Sequence, residues 1–215
     1  MGGCALYKMK RIYDIGANVG NFTEENLKKY SQCEFILIEA NPELIPILKN
    51  KFKNLNKVKI LNYCISENDG YANFYISAAH KISTASTKWI TDSRFSNYKF
   101  KDPIKIQSSS LNSIVEKYGK SDYIKIDVEG YEKTIILGIK KYLGLISFEW
   151  AEELKSDILD CITHLNSIGY TNFFVNYNDN YTFLPSEYYN FEKIKDEINK
   201  LNPKNKEKWG MIFAH

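Results

Sequence analysis

Apolar positions recur along the chain as short unbroken runs, each followed by a turn and then by apolar residues at helical spacing. Arg11 to Ile15 is the first such run and ends at Gly16. Asn21 to Tyr30 follows as a helix, with Asn21 as N-cap, Glu24 three residues on, and Phe22 and Leu27 turned inward. Glu34 to Ile38 (EFILI) predicts the second strand. Asn41 and Pro42 predict the cap and first residue of a helix whose Leu44, Ile45, Leu48 and Phe52 share a face, with Pro46 an awkward fit inside it. Val58 to Ile65 and Tyr71 to Ile76 predict two strands around the Asn68-Asp69-Gly70 turn.

The same alternation continues to the end. Leu111 to Tyr118 predicts a short helix, Tyr123 to Val128 a strand, Tyr131 to Lys140 a helix and Leu143 to Trp150 a strand. Asp157 to Ile168 predicts a helix closed by Gly169, and Tyr170 to Val175 and Trp209 to Ala214 two final strands. Between those strands Phe191, Ile194, Ile198 and Leu201 mark one face of a further helix. Such alternation predicts an α/β fold with a mostly parallel sheet, helices on both faces and an antiparallel edge strand. Without repeat or linker, residues 1–215 read as a single domain. Ala78 to Asp102 has no clear period, and a loop of that length is either functional or mobile.

Composition narrows the function classes. Hydrophobic residues at 44% and charged residues at 26% exclude a disordered chain. A net charge of +3, with lysines spread along the chain, argues against nucleic-acid binding as the main task. No apolar run reaches the roughly 20 residues that span a bilayer. The start, MGGCALYKMKR, lacks an apolar signal core, and Leu6 and Tyr7 stand where a myristoylation site needs Ser or Thr, so a cytoplasmic location without membrane contact is expected. Cys4, Cys33, Cys64 and Cys161 form no paired spacing and read as reduced, mostly buried thiols.

Chemistry concentrates at the first strand–helix turn, Asp14-Ile15-Gly16-Ala17-Asn18-Val19-Gly20, where a doubly wound sheet binds its ligand. Gly16 lets the chain bend, and Gly20 opens a helix whose N-terminus attracts a carboxylate. The second strand ends in Glu39, where an acidic residue grips ribose hydroxyls. Asn18 replaces the second glycine of a dinucleotide fingerprint, and that glycine admits a pyrophosphate. The loop therefore predicts a nucleoside cofactor without one, and S-adenosylmethionine (SAM) is such a ligand. Asp14 also suits a cofactor carrying an ammonium group.

DIGANVGNFT, IEANP, CISENDG, LNSIVEKYG and YIKIDVEGYEKTIILG, in this order across residues 11–150, resemble the FkbM family of SAM-dependent methyltransferases. The resemblance implies a class I, Rossmann-like methyltransferase fold and methyl transfer from SAM to a hydroxyl, often of a sugar or polyketide. It implies Asp14, Gly16, Ala17, Asn18 and Gly20 around the methionine part of SAM. It also implies Glu39 at the ribose with Asn41 close by, Ile65 and Ser66 near adenine, and Ala40 and Asp127 among the cofactor-binding residues. The acceptor expected is a small molecule or a glycan. A non-catalytic protein of the same fold, serving as scaffold or subunit, is the alternative.

Methyl transfer needs an aligned nucleophile and a group that takes its proton. In the KIDVEG segment, strand alternation points Lys125, Asp127 and Glu129 to one side. These charges in an apolar strand read either as a structural Lys125–carboxylate pair or as catalytic groups, with Glu129 or Asp127 as base. Glu149, ending LISFEW, is a second candidate for the same cleft, and His80 heads the long irregular loop as a further one. Carboxylates suit a hard cation, but the spacing demands none, and no essential metal is expected. Ser83, Thr84, Ser86 and Thr87 read as ligand hydrogen-bonders or as a solvated loop, Trp89 and Trp150 as sugar-stacking faces or as core, and His164 as structural.

Overall fold

A computed structural model of the chain describes residues 9–178 and 188–215. The N-terminal segment discussed above, with Leu6, Tyr7 and Cys4, lies outside the described residues.

The first half builds β1 (Arg11–Ile15), α1 (Asn21–Lys29), β2 (Glu34–Ile38), α2 (Ile45–Lys51), β3 (Val58–Leu61), β4 (Cys64–Ser66), β5 (Gly70–Phe74) and α3 (Thr87–Asp92). The second half builds β6 (Ile104–Ser110), α4 (Leu111–Tyr118), β7 (Tyr123–Ile126), α5 (Glu132–Leu137), β8 (Leu145–Ala151), α6 (Lys155–Ser167), β9 (Phe173–Tyr177), α7 (Phe191–Asn199) and β10 (Trp209–Ala214). A seven-stranded sheet has the order β3-β2-β1-β7-β8-β10-β9, and β4, β6 and β5 form a second, three-stranded sheet.

Only β10 runs against its neighbours in the large sheet, pairing antiparallel with both β8 and β9. The antiparallel strand is therefore one place in from the edge, and the edge is β9. Burial explains the difference. WGMIFA is buried from Gly210 to Ala214, as a strand covered on both faces must be, whereas Tyr177 of β9 is exposed.

Alternation along the strands feeds two cores. Tyr13, Ile15, Ile36, Ile38, Ile212 and Ala214 face one side, packed with Ile114 of α4, Ile135 of α5, Ile162 of α6 and Ile194 of α7. Ile12, Phe35, Leu37, Met211 and Phe213 face the other, against Phe22 of α1, Leu48 of α2 and Phe52 just after it. Helices thus cover both faces.

Three local expectations change. The run Val58 to Ile65 breaks into β3 and β4, which belong to different sheets. At the break Asn62 Nδ2 donates to the carbonyls of Glu39 (2.8 Å) and Ala40 (3.1 Å), turning the chain out of the large sheet. The helix after β2 begins at Ile45 rather than Pro42, because Asn41 first closes a turn, its Oδ1 accepting the Glu43 N–H at 3.0 Å. Pro46 then falls in the first helical turn, where a missing N–H costs nothing. Ile104–Ser110, not expected as a strand, is the centre of the small sheet, pairing with β4 and β5.

The stretch 78–102 is organised. It contains a 3₁₀ turn at His80–Ile82 and α3. Arg94 binds Glu153 through Nε (2.9 Å) and Nη2 (2.6 Å), and Lys88 reaches Asp157 at 2.8 Å. Among the described residues no helix is long and apolar enough to cross a membrane.

Candidate functional site

A cleft of about 350 Å³ opens beyond the carboxyl ends of β1, β2, β7 and β8. That size falls within the range of small-molecule sites. Gly16, Ala17 and Asn18 form its floor. The floor is tightly made: Gly16 sits at φ +73° and Asn18 at φ +51°, the left-handed region that asparagine tolerates better than most residues. The Gly16 and Ala17 N–H groups both donate to the Ile38 carbonyl, at 2.9 and 3.1 Å, locking the turn to β2. Gly20 lies behind the floor at φ +79°, where a Cβ would meet Phe52 at 2.6 Å. Its role is to let α1 start against α2, so it packs the site rather than lining it.

Asp14 does not line the cleft either. Alternation turns Tyr13 and Ile15 to one core and Asp14 to the α1 side, fully buried, where Thr23 Oγ1 donates to it at 2.8 Å. Its partner is Lys125, whose Nζ stands 3.1 Å from Asp14 and 3.5 Å from Asp127. The same ammonium donates to the Gly16 carbonyl at 2.9 Å. Burial alone would lower the Lys125 pKa, but the Asp14 and Asp127 carboxylates outweigh it and hold the group protonated. Lys125 is thus an axle joining β1, β7 and the floor.

Glu39 ends β2 inside the cleft wall, and its buried carboxylate accepts the N–H groups of Asn18 and Asn41, each at 2.7 Å. Each oxygen retains a lone pair for a further donor. Burial raises the Glu39 pKa, against the pull of those two N–H groups. Ala40 lines the cleft beside it, whereas Asn41 is buried behind and holds Glu39 in place. The wall then becomes apolar with Ile65, Cys64 and Phe74. Ser66 is turned away, its hydroxyl 3.2 Å from that of Tyr131, and it is Tyr131 that lines the cleft.

Asp127, Glu129 and Glu149 bring carboxylate oxygens within 4.8 Å of one another. All three line the cleft, as do Lys125 and His80. They come from the ends of two adjacent strands, β7 and β8, whose register pairs Ile126 with Phe148. The remaining candidates separate cleanly. Ser83 lines the cleft, and its Oγ accepts the Ser77 N–H at 3.0 Å. Ser86 caps α3 through the Trp89 N–H, and Thr87 is exposed at the helix start. Trp89 and Trp150 are each 2% exposed and offer no face to a sugar. Trp150 Nε1 donates to the Asn176 carbonyl within the core, and half-buried His164 bonds the Ile139 carbonyl.

Tyr131, Phe74 and Glu132 were not singled out as site residues by sequence. Glu132 Oε1 accepts the Val128 N–H at 2.8 Å beneath the carboxylate turn. Only its position three residues beyond Glu129 in VEGYEK hinted at this.

The site has the parts that SAM requires. Gly16 leaves a cradle that a Cβ would close, Glu39 presents a buried carboxylate, Ile65 and Phe74 supply apolar lining, and Asp127, Glu129 and Glu149 supply acidic lining. Solved structures of the same fold include an FkbM methyltransferase from Methylobacillus flagellatus KT, 13% identical with TM-score 0.56, covering 97% of this chain and 44% of that one. The chain thus spans less than half of that protein. The precorrin-6y C5,15-methyltransferase of Geobacter metallireducens GS-15 is 12% identical with TM-score 0.50, covering 96% of this chain and 78% of its own. The Methanococcus jannaschii fibrillarin pre-rRNA processing protein is 12% identical with TM-score 0.51, covering 96% and 66%. No curated protein matches the chain. The model of the methyltransferase FkbM domain matches residues 14–171, from the buried Asp14 through every strand that lines the cleft. The chain accordingly belongs to the FkbM family of SAM-dependent methyltransferases.

Proposed function

We propose that the chain transfers the methyl group of SAM to a hydroxyl of a small, hydroxyl-rich acceptor, a sugar or glycan. The observation that carries this reading is the trio Asp127, Glu129 and Glu149, gathered within 4.8 Å of one another in the lining of the cleft. SAM, when bound, supplies a sulfonium methyl group already open to attack, so the chain has two tasks: to orient an acceptor oxygen and to take its proton. Gly16, Ala17 and Asn18 hold the amino-acid part, Glu39 the ribose hydroxyls, and Ile65 and Phe74 the base. Glu129 or Glu149 accepts the proton of the acceptor hydroxyl, and the other carboxylates orient neighbouring hydroxyls. Lys125 serves as a positioning residue, since Asp14 and Asp127 engage its ammonium.

A sugar suits the trio because carboxylates take paired hydroxyl donors. Asn21, Glu25 and Lys81 extend the polar lining. The fibrillarin likeness rests on fold alone and does not recommend a nucleic-acid acceptor. Cys33, Cys64 and Cys161 are free and buried, which fits a reducing compartment such as the cytoplasm.

The test is thermal unfolding with SAM, S-adenosylhomocysteine or NAD, followed by transfer of labelled methyl from SAM to a panel of methyl glycosides. A ligand at a hundred times its Kd adds about 2.7 kcal/mol. The shift is expected with SAM and its product and not with NAD. Glu129→Gln and Glu149→Gln are each expected to lower kcat by about 10²–10⁴ with SAM affinity retained. Full activity in both variants would refute the carboxylate assignment. EDTA is expected to leave the rate unchanged; a loss restored by Mg²⁺ would instead make the trio a cation site.

A further inference from the structure

The turn that carries Asp127 and Glu129 departs from strand geometry at two consecutive residues. After β7 ends at Ile126, Glu129 takes φ +58° and Gly130 φ +82°. The left-handed region is sterically costly for a glutamate, so the surroundings must impose it. Gly130 adopts it without cost, and Trp89 packs so closely there that a Cβ would lie 2.6 Å from its ring.

The Thr84 side chain bonds to the left-handed residue itself. Thr84, fully buried, donates from Oγ1 to the Glu129 carbonyl at 2.7 Å. Its donor direction is set, because the same oxygen accepts the Ser86 N–H at 2.9 Å. Its backbone is fixed too: the Tyr75 N–H donates to the Thr84 carbonyl at 2.8 Å, and the Thr84 N–H returns the bond at 3.1 Å. A rigid hydroxyl thus crosses from the segment after β5 to the carboxylate turn.

We infer that Thr84 is a positioning residue for the methyl transfer proposed above, its hydroxyl holding Glu129 in the left-handed conformation that turns its carboxylate toward Asp127 and Glu149. The inference rests on that reading of the trio. Valine has the shape of threonine but removes the hydroxyl that donates to the Glu129 carbonyl and accepts the Ser86 N–H. Serine restores both.

The readout needs no acceptor. Sinefungin carries a protonated amine where SAM carries its methyl group, whereas S-adenosylhomocysteine carries none. The affinity ratio of the two, measured by titration calorimetry, therefore reports how well the carboxylates face the transferred group. The wild-type chain is expected to prefer sinefungin by on the order of tenfold, a charge-assisted hydrogen bond's worth. Glu129→Gln is expected to lose most of that preference. Thr84→Val is expected to fall to the Glu129→Gln ratio with unchanged affinity for S-adenosylhomocysteine, and Thr84→Ser to keep the wild-type ratio. Thr84→Ala is a second hydroxyl-free variant, so misfolding of one leaves the other to decide. A wild-type ratio in Thr84→Val or Thr84→Ala overturns the inference, as does an equal loss of both ligands, which would make Thr84 a support of the whole cleft. No preference in the wild-type chain overturns the placement of the trio, and the inference falls with it.

Discussion

Gly16 meets Asp127 so closely that a Cβ on the glycine would lie 1.8 Å from the Asp127 carbonyl oxygen. The two residues belong to neighbouring strand ends, and the Asp127 N–H still donates to the Ile15 carbonyl at 3.1 Å. The floor of the cleft and the turn that carries the carboxylates are therefore in van der Waals contact, with no side chain between them.

Gly16→Ala is expected to break it. The added methyl overlaps the Asp127 backbone, which cannot swing aside like a flexible side chain, and alanine is disfavoured at φ +73°. Overpacking and left-handed strain together cost about 3 kcal/mol, or roughly 6–12 °C in melting temperature for a chain of this size. Differential scanning calorimetry checks the loss. A variant melting at the wild-type temperature would mean that Gly16 is less confined than the geometry requires.

Glu39→Gln is expected to weaken SAM and S-adenosylhomocysteine by about 10- to 100-fold. The carboxylate now accepts from Asn18 and Asn41 on its two oxygens. A carboxamide must turn its NH₂ toward one of these N–H donors, leaving two donors opposed. Titration calorimetry on the purified variant measures the effect. Wild-type affinity would remove Glu39 from the ribose site.

Much of this site was legible in the residues. Gly16, Asn18 and Glu39 follow from strand–turn–helix logic, and the cleft gathers Lys125, Asp127, Glu129, Glu149 and His80 as their strand-end and loop positions predict. What failed was direction. Asp14 stands next to the turn, yet the period of two along β1 sends it behind the floor to Thr23. Asn41 and Ser66 adjoin lining residues but are engaged elsewhere, Asn41 by Glu39 and Glu43 and Ser66 by the Tyr131 hydroxyl. The small sheet was the larger gap. IKIQSSS begins with strand alternation and ends in three serines that carry little strand preference, and their pairing with β4 and β5 is a long-range fact. The end of the strand is occupied: the Ser109 hydroxyl and the Ser110 N–H donate to Asp69, as does the Ser113 hydroxyl of α4.

Lys125→Met is expected to destabilise the fold by about 3–5 kcal/mol, because it strands the buried Asp14 carboxylate without its cation. Asp14→Asn in the same chain removes that charge while keeping an acceptor for Thr23, so the double variant is expected to recover a large part of the loss. A double-mutant cycle by urea denaturation provides the coupling. Strictly additive losses would show that Asp14 and Lys125 act independently, contrary to their 3.1 Å separation.

Glu132 gives the fold a pH dependence of a definite sign. Burial raises its carboxyl to about 7, although the Val128 N–H favours the charged form. Asp127 adds a smaller upward push, and the buried Cys161 thiol of α6 feels the same carboxylate in turn. In the unfolded chain an ordinary glutamate releases its proton near 4.5. Between about 4.5 and about 7 the folded chain therefore retains a proton that the unfolded chain has lost. Unfolding then releases a proton, so this group's contribution to stability falls as pH rises across that window and is level above it. Glu132→Gln keeps an oxygen for the Val128 N–H and cannot titrate, so the difference in unfolding free energy between variant and wild type should shift progressively in the variant's favour from pH 4.5 to 7. Urea denaturation at half-unit steps of pH measures this. A difference that stays flat across the window would place the Glu132 carboxyl at an ordinary pKa, and the turn beneath Asp127 and Glu129 would then rest on a charged carboxylate throughout.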